Sequence, residues 1–202
     1  MNTMMTQVLV PGLQRFVGRV GGLDMSAPLV FTIADVLTVD ERATMIARID
    51  ALGPTDAPVT TARGPLIMPE LRNNQRVMFD DVAFAGALFG RVRSALPAQL
   101  HGRRPAGVNE RFRCYRYAPG QRFAPHYDGA FCRNPSEQSE LTFMVYLNDG
   151  FVGGRTVFLD HGVEVAPRAG LALLFQHQLL HEGCEVEAGV KYVLRSDVMY
   201  AD

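Results

Sequence analysis

The sequence has few cysteines and no long apolar run. Only Cys114, Cys132 and Cys184 are present among 202 residues. An odd, widely spaced set excludes a disulfide framework, and no pair has the CxxC spacing of a zinc site. The longest apolar stretches, such as 170-GLALLF-175, are far shorter than the roughly 18 residues of a membrane helix. We therefore expect neither disulfides nor a membrane span.

Neither sign of charge is in excess. Twenty Lys and Arg against 21 Asp and Glu leave a net charge of −1, which is not the basic balance of proteins that bind nucleic acid or anionic membranes. The N-terminus lacks the basic start, apolar run and cleavage site of a secretory signal. These features predict a cytoplasmic location without nucleic-acid or membrane partners. The oligomeric state stays open.

Hydrophobic residues make up 48% of the chain, enough for one domain, 1–202, with a sizeable core. We divide it into a poorly readable N-terminal extension (1–28), a helical support (29–107) and a β-rich core (108–202). In the support, one helix opens with a capping box of Thr38 and Glu41 and stops before Gly53. Apolar spacing predicts a second helix: Phe84, Leu88, Val92 and Leu96, closed by Pro97. The segment between them, 53–75, is predicted to be a long loop.

The C-terminal half contains short runs typical of β-strands, separated by turn residues. Eight such strands indicate a sandwich or barrel. Since the helices precede the strands, we predict an α+β fold with the helices packed on one outer face. The predicted strands are 111–117, 122–126, 141–148, 156–159, 163–166, 171–175, 181–186 and 191–200, preceded by a shorter run at 29–33.

His126 and Asp128 form a possible pair of metal ligands. Residues i and i+2 of a strand project to the same face, so the imidazole and the carboxylate can bind one ion. A distal histidine would complete a 2-His-1-carboxylate triad, which leaves coordination positions open for substrate and oxygen. His177 and His181 compete for that role. His181 is favoured because Lys191 lies ten residues beyond it, on the next predicted strand.

Lys191 is the single lysine of the chain. A solvated surface charge is the usual interpretation of a lysine, but this one opens the strongest predicted strand, 191–200. If it points inward, it can supply the charge-assisted contact that the distal carboxylate of an iron-bound 2-oxoacid needs.

From about Leu29 to Tyr200 the chain resembles the prolyl 4-hydroxylase-like branch of the Fe(II)/2-oxoglutarate oxygenase superfamily. The resemblance implies a double-stranded β-helix, that is, a jelly roll or cupin-like barrel, in agreement with the eight predicted strands. The matching stretches occur in the family's order and spacing: 115-YRYAPGQRFAPHYD-128, 144-MVYLND-149, 153-GGRTVF-158 and 180-LHEGCEVEAGVKYVLRSDVMY-200.

The resemblance implies that His126, Asp128 and His181 bind iron and that Lys191 binds the distal carboxylate of 2-oxoglutarate. Because halogenating relatives replace the carboxylate ligand with a small residue, the presence of Asp128 favours hydroxylation. The implied reaction hydroxylates an unactivated C–H bond of a small molecule, amino acid or peptide and releases succinate and CO2. It implies Fe(II), 2-oxoglutarate and O2, with ascorbate as a candidate reductant.

The resemblance also places Tyr146 and Tyr117 beside the cosubstrate, although core aromatics with satisfied hydroxyls are an equal alternative. Arg195 shares a strand face with Lys191, so it is expected to assist cosubstrate binding or to touch substrate.

Arg111, Arg113 and Tyr115 alternate on one strand with Tyr117, so that one face is basic and aromatic. Such a face suits an anionic small molecule or a peptide backbone, or it is an ordinary charged outer surface. Two segments are expected to close over substrate, 56–75 and 129–139, and the second carries the candidate substrate residue Arg133.

Two other functions use the same residues. A non-catalytic metal-binding jelly roll with a structural or sensing role would typically lose one ligand or the lysine, and this chain keeps all four. A zinc hydrolase lacks an obvious general base near the ligands. The oxygenase is therefore the preferred interpretation.

Overall fold

The structure is a computed structural model that describes residues 4–12, 19–20, 22–61 and 63–202. Within these ranges the chain is mostly strand, with two α-helices, α1 (Val39–Ala51) and α2 (Val82–Val92), and 3-10 turns at Arg93–Ala95 and Leu159–His161. The strands are β1 (Thr6–Val10), β2 (Arg19–Val20), β3 (Leu23–Asp24), β4 (Val30–Ile33), β5 (Thr55–Asp56), β6 (Val59–Thr61), β7 (Gly64–Leu66), β8 (Gln75–Asp80), β9 (Arg104–Val108), β10 (Arg111–Tyr117), β11 (Phe123–His126), β12 (Cys132–Asn134), β13 (Glu137–Tyr146), β14 (Val152–Gly153), β15 (Thr156–Phe158), β16 (Val163–Val165), β17 (Ala172–Gln176), β18 (His181–Gly183), β19 (Val186–Ala188) and β20 (Lys191–Ala201).

Two antiparallel sheets dominate the architecture. The larger has ten strands in the order β1-β4-β17-β13-β20-β10-β8-β5, with β12 and β9 paired to β13 and β20. The smaller has the order β11-β18-β15-β16. Neighbouring strands are therefore often far apart in sequence. This arrangement, with two helices beside it, is consistent with the predicted double-stranded β-helix.

Alternation along the strands divides the core in two. On β13, Phe143 and Val145 pack with the helices, whereas Met144 and Tyr146 pack with residues of the smaller sheet. Because successive side chains of a strand point to opposite faces, one apolar strand contributes to both clusters. The helices thus cover one face of the large sheet, as predicted, and the other face is left for the site.

The first helix begins as predicted. Thr38 Oγ1 accepts a hydrogen bond from the Glu41 amide at 3.2 Å, and the Glu41 carboxylate accepts one from the Thr38 amide at 2.9 Å. The second helix is shorter than predicted, because it ends at Val92 and a 3-10 turn follows. Pro97 accounts for this end, since the residue before a proline is disfavoured in the helical region and Leu96 is extended.

Two predicted segment descriptions are wrong. The segment 53–75 is not a structureless loop, because β5 pairs with β8 and β6 forms a hairpin with β7. The helical support also contains β8 and β9, which pair with strands of the large sheet. In the extension, β1 pairs with β4. Short strands of this kind carry little apolar alternation, so their pairing depends on the neighbouring strand.

No helix in the described ranges is long and apolar enough to cross a membrane.

Leu88 tests how much α2 stabilises the fold. Its side chain is fully buried against the large sheet, so Leu88→Ala should lower the free energy of unfolding by about 2–5 kcal/mol. Val82→Ala, on the same helix but 75% exposed, should change it by less than about 1 kcal/mol. Urea denaturation followed by circular dichroism measures both. Equal effects would contradict the packing described here.

Candidate active site

The smaller sheet brings the two predicted histidine ligands together. His126 ends β11 and His181 begins β18, and the two residues are paired directly across the antiparallel ladder. Asp128 follows two residues after His126, and its amide donates to the His177 carbonyl at 3.0 Å. One ligand atom from each of His126, Asp128 and His181 lies within 4.8 Å of the others.

Backbone contacts define which imidazole nitrogens are free. His126 Nδ1 lies 2.8 Å from the Ala124 carbonyl oxygen, and His181 Nδ1 lies 2.9 Å from that of Leu179. A carbonyl oxygen can only accept, so both Nδ1 atoms carry the proton. Burial lowers the pKa of His126 to about 3 and also lowers that of His181. Both rings are therefore neutral, with an unprotonated Nε2.

Three acceptors consequently face one another. His126 Nε2 is 3.8 Å from Asp128 Oδ1, and His181 Nε2 is 3.7 Å from Asp128 Oδ2. Lone pairs at such distances repel unless a cation lies between them, and two imidazoles with a carboxylate are ligands suited to Fe(II). The residues present fit a divalent metal with open coordination positions.

Asp128 is held in place from the large sheet. Its Oδ2 accepts a hydrogen bond from Thr142 at 2.6 Å and an ion pair from Arg195 at 3.1 Å. Burial raises the pKa of Asp128, but the Arg195 guanidinium and the Thr142 hydrogen bond outweigh burial and hold it well below its usual range. The carboxylate is thus ionised and oriented, with Oδ1 free of these contacts.

His177 is not part of the cluster. Its Nδ1 lies 3.0 Å from Thr142 Oγ1 and its Nε2 lies 2.8 Å from Ser139 Oγ. Because Thr142 gives its proton to Asp128, it must accept from His177 Nδ1–H, and Nε2 then accepts from Ser139. Of the two competing histidines, the structure brings His181 to the pair and uses His177 to support Asp128 through Thr142.

Aromatic rings surround the histidines. Phe123 stacks on His126 with centroids 3.5 Å apart, and Phe175 lies edge-on to His181 at 4.5 Å. These ring contacts restrict the orientation of both imidazoles. Neither residue was predicted from the sequence, because an aromatic side chain in a strand gives no sign of which neighbour it will meet.

Lys191 points inward, into the same cavity as the three ligands. It is 2% exposed, and its ammonium donates to the Gly154 carbonyl at 2.6 Å. Burial lowers the pKa of Lys191 to about 8, and no carboxylate of the described residues contributes to that shift. Among the residues that the structure describes, this buried cation therefore has no anionic partner.

The two predicted tyrosines differ in position. Tyr117 lines the cavity, with Lys191 Nζ 5.0 Å from its ring centroid. The Tyr146 hydroxyl instead forms a 2.7 Å hydrogen bond with Thr156 Oγ1, and its ring lies 5.5 Å from Lys191 Nζ. Contact of either hydroxyl with a cosubstrate stays a prediction.

A wider cleft of about 490 Å³ adjoins the ligands on the open side. Of the four candidate substrate residues, Arg113 and Tyr115 line it. Arg111 is paired with Asp80 at 3.0 Å, and Arg133 is paired with acidic neighbours, both outside the cleft lining. Both segments expected to close over substrate contribute to its wall, through residues 58–60 and 129–131.

Three polar residues of the site were not predicted from the sequence. Thr142 lies within a predicted strand, Arg76 lies on the unpredicted β8, and Arg72 lies in the segment taken for a loop. Arg195, by contrast, was predicted to share a face with Lys191, and both side chains line the inner cavity.

Part of the chain is similar to known proteins. Residues 112–196 match the family model described as the 2OG-Fe(II) oxygenase superfamily. Prolyl 4-hydroxylase subunit alpha-2 of Gallus gallus is 33% identical over 93 residues, which cover 38% of this chain and 17% of that protein. The matched segments cover 17–42% of the length of the first curated relatives.

Solved structures show the same fold. The viral collagen prolyl hydroxylase of Paramecium Bursaria Chlorella virus-1, in complex with 2OG, aligns with a TM-score of 0.62 at 24% identity, covering 86% of this chain and 97% of that one. A prolyl hydroxylase from Trichoplax adhaerens, in complex with a hypoxia inducible factor peptide fragment, aligns with a TM-score of 0.61 at 18% identity, covering 86% and 83%.

The converging His-Asp-His cluster has the donor set of a 2-His-1-carboxylate facial triad. The resemblance to the prolyl hydroxylase-like 2OG-Fe(II) oxygenases, predicted from the motifs, is confirmed.

Thr142 tests how the carboxylate is oriented. Thr142→Val keeps the shape but removes the donor to Asp128, so metal affinity should fall by about 10- to 100-fold. Isothermal titration of the metal-free protein with Co(II) measures this change. Thr44→Val, at an exposed helical position, is the control and should bind Co(II) like the parent protein. Unchanged affinity in Thr142→Val would contradict the orienting role.

Proposed function

We propose that this protein is an Fe(II)- and 2-oxoglutarate-dependent dioxygenase that hydroxylates an unactivated C–H bond of an amino acid or peptide. The observation that carries this proposal is one cavity containing both three converging acceptors, which require a cation, and a buried ammonium, which requires an anion. Fe(II) bound to His126, Asp128 and His181 and a dicarboxylate bound to Lys191 satisfy both requirements together.

When bound, iron and 2-oxoglutarate supply the activation of O2 that C–H hydroxylation needs, with succinate and CO2 as the other products. The chain itself binds and orients. His126 and His181 present Nε2 because their Nδ1 protons are used by backbone carbonyls. Thr142 keeps the Asp128 carboxylate at a fixed angle, and Lys191 fixes the far end of the cosubstrate by a charge-assisted hydrogen bond.

The substrate is proposed from the relatives and from the cleft. The curated relatives and solved neighbours named above are prolyl hydroxylases, and one neighbour contains a peptide. The cleft of about 490 Å³ is open on the side away from Lys191 and has room for a residue within a peptide or a free amino acid. A prolyl ring beside the His126 end of the cleft is the first substrate to test.

The cosubstrate complex can be detected by its colour. Anaerobic protein with Fe(II) and 2-oxoglutarate should show a weak charge-transfer band near roughly 500–530 nm, because an open facial triad allows bidentate binding of the 2-oxoacid. His126→Ala should abolish the band, whereas His161→Ala, an exposed histidine outside the cluster, should retain it. Stoichiometric metal binding without a band would instead support a non-catalytic metal-binding protein.

The lowered pKa of Lys191 predicts that the affinity for 2-oxoglutarate depends on pH. The ammonium is charged below its pKa of about 8, so 2-oxoglutarate affinity should be constant below that pH and fall up to about tenfold per unit above it. Lys191→Met should lower the affinity about 10- to 100-fold and remove the slope. Titrations of the charge-transfer band between pH about 7 and about 9.5 measure both. A slope that persists in Lys191→Met would assign it to another group.

The same substitution should stabilise the cosubstrate-free protein. The folded pKa lies below the ordinary value, so burial of the charged amine opposes folding fully below pH about 8 and ceases to do so above about 10.5. Lys191→Met should therefore raise the free energy of unfolding at pH 7 by roughly 1–3 kcal/mol. Destabilisation at pH 7 would contradict this.

A further inference from the structure

Four arginines line the cleft beside the predicted metal ligands. Arg76 lies on β8, Arg113 on β10 and Arg195 on β20, which are neighbouring strands, and Arg72 precedes β8. Arg113 is paired directly opposite Arg195, and Arg76 is paired opposite Tyr115. Like charges at such positions destabilise a sheet, so the cluster needs anions nearby.

The chain supplies only part of that negative charge. Arg113 pairs with Asp197 at 3.0 Å, and Arg195 pairs with Asp128 at 3.1 Å and with Asp197 at 3.5 Å. Two carboxylates therefore neutralise two of the four guanidinium groups. The other described side chains of the cleft lining carry no formal charge. Fe(II) and the 2-oxoglutarate dianion would cancel each other, so two positive charges remain on the cleft arginines, in addition to that of Lys191 in the inner cavity.

Arg72 is buried between two rings, and its guanidinium is only partly hydrogen-bonded. It is 6% exposed, its Nε donates to Asn74 Oδ1 at 2.8 Å, and its guanidinium lies over the rings of Tyr115 at 4.4 Å and Phe123 at 4.2 Å. Its Nη2 is buried and has no hydrogen-bond partner among the residues that the structure describes. A buried donor without an acceptor is costly, and a stacked planar guanidinium is suited to bidentate binding of a carboxylate.

Arg76 is more accessible to solvent than Arg72. It is half-buried, and no carboxylate is among the groups that act on its charge. Burial lowers the pKa of Arg76, Tyr115 raises it, and Arg72 and Arg113 lower it again. Tyr115 responds to the same positive potential: burial raises its pKa, but Arg72, Arg195 and Arg113 bring it below the ordinary value. An anion bound here would offset the positive potential that acts on both Arg76 and Tyr115.

We propose that Arg72 and Arg76, backed by Arg113 and Arg195, bind a carboxylate of the substrate, so that the substrate class is an acidic amino acid derivative or peptide rather than a neutral one. This inference rests on the proposed oxygenase function. Phe123 stacks on His126 on one side and contacts the Arg72 guanidinium on the other. The carboxylate would therefore lie about one ring away from a metal ligand, close to the carbon to be hydroxylated.

Matched acids and carboxamides test the proposal. N-acetyl-L-proline is compared with N-acetyl-L-prolinamide, and Gly-Pro-Gly with its C-terminal amide, to detect a terminal carboxylate. Acetyl-Glu-Pro-amide is compared with acetyl-Gln-Pro-amide to detect a side-chain carboxylate. Each probe is titrated calorimetrically into anaerobic protein loaded with Fe(II) and 2-oxoglutarate, and succinate release in air is measured alongside. At least one acid should bind tenfold or more tightly than its neutral partner.

Arginine variants assign the preference to the cluster. Arg76→Gln should reduce the acid-to-amide affinity ratio to below about threefold while the charge-transfer band persists. Arg72→Gln should do the same, with circular dichroism confirming the fold. Arg111→Gln is the matched control, because Arg111 is on the same strand as Arg113 but pairs with Asp80 outside the cleft lining, and it should keep the parent ratio.

The possible outcomes separate the two proposals. If the band forms but acids and amides bind equally, or no probe of either kind binds, or Arg76→Gln keeps the preference, the carboxylate site is wrong and the oxygenase proposal stands. If the band itself is absent, the oxygenase proposal fails and the substrate inference fails with it. A preference confined to the Glu and Gln pair would support a side-chain carboxylate over a terminal one.

Discussion

Hydrogen bonds from two imidazole Nδ1 atoms to backbone carbonyls decide how the rest of the site is built. Because Ala124 and Leu179 accept those protons, both Nε2 lone pairs are directed toward the Asp128 carboxylate. The pairing of β11 with β18 places the histidines opposite each other, so the two-sheet scaffold is what makes this contact possible. Three acceptors in contact favour a cation between them, so the metal binding proposed above would depend on this strand pairing.

A second constraint is the burial of positive charge. Lys191 in the inner cavity and the arginines of the outer cleft lie in a region where desolvation disfavours ions. The Asp128 carboxylate serves both sides, since it accepts from Arg195 and Thr142 and faces the histidines. Charged groups of the described residues thus follow one another along the site: the Lys191 ammonium lies deep in the cavity, the His-Asp-His cluster lies in the middle, and the guanidinium groups lie at the opening. Under the two proposals made above, such a gradient would orient a dicarboxylate cosubstrate and an anionic substrate from opposite ends.

Part of this could be predicted from residue types alone. His126 and Asp128 share a face of any extended segment that contains both. The single lysine, in an otherwise apolar strand, indicated a buried ammonium that needs a hydrogen-bond acceptor or an anion. The capping box of α1 and the longer strands β10, β13 and β20 are local patterns, and the structure confirms them. The strands that the sequence did not predict include the short strands β5 to β9. They pair because a neighbouring strand presents unpaired backbone groups, and no local sequence pattern encodes that neighbour.

The sequence by itself determined the ligand types, the motif order and the mostly-strand character, because alternation and spacing are properties of the chain. The sequence also favoured His181 over His177, because of the position of Lys191. The tertiary structure added the cross-strand register that places His181, and not His177, opposite His126. It also decided that Arg113 lies in the cleft and Arg111 outside it. These two share a predicted strand face, and the difference arises because Asp80 on β8 pairs with one and Asp197 on β20 with the other. Long-range pairing of that kind depends on strands brought together by folding.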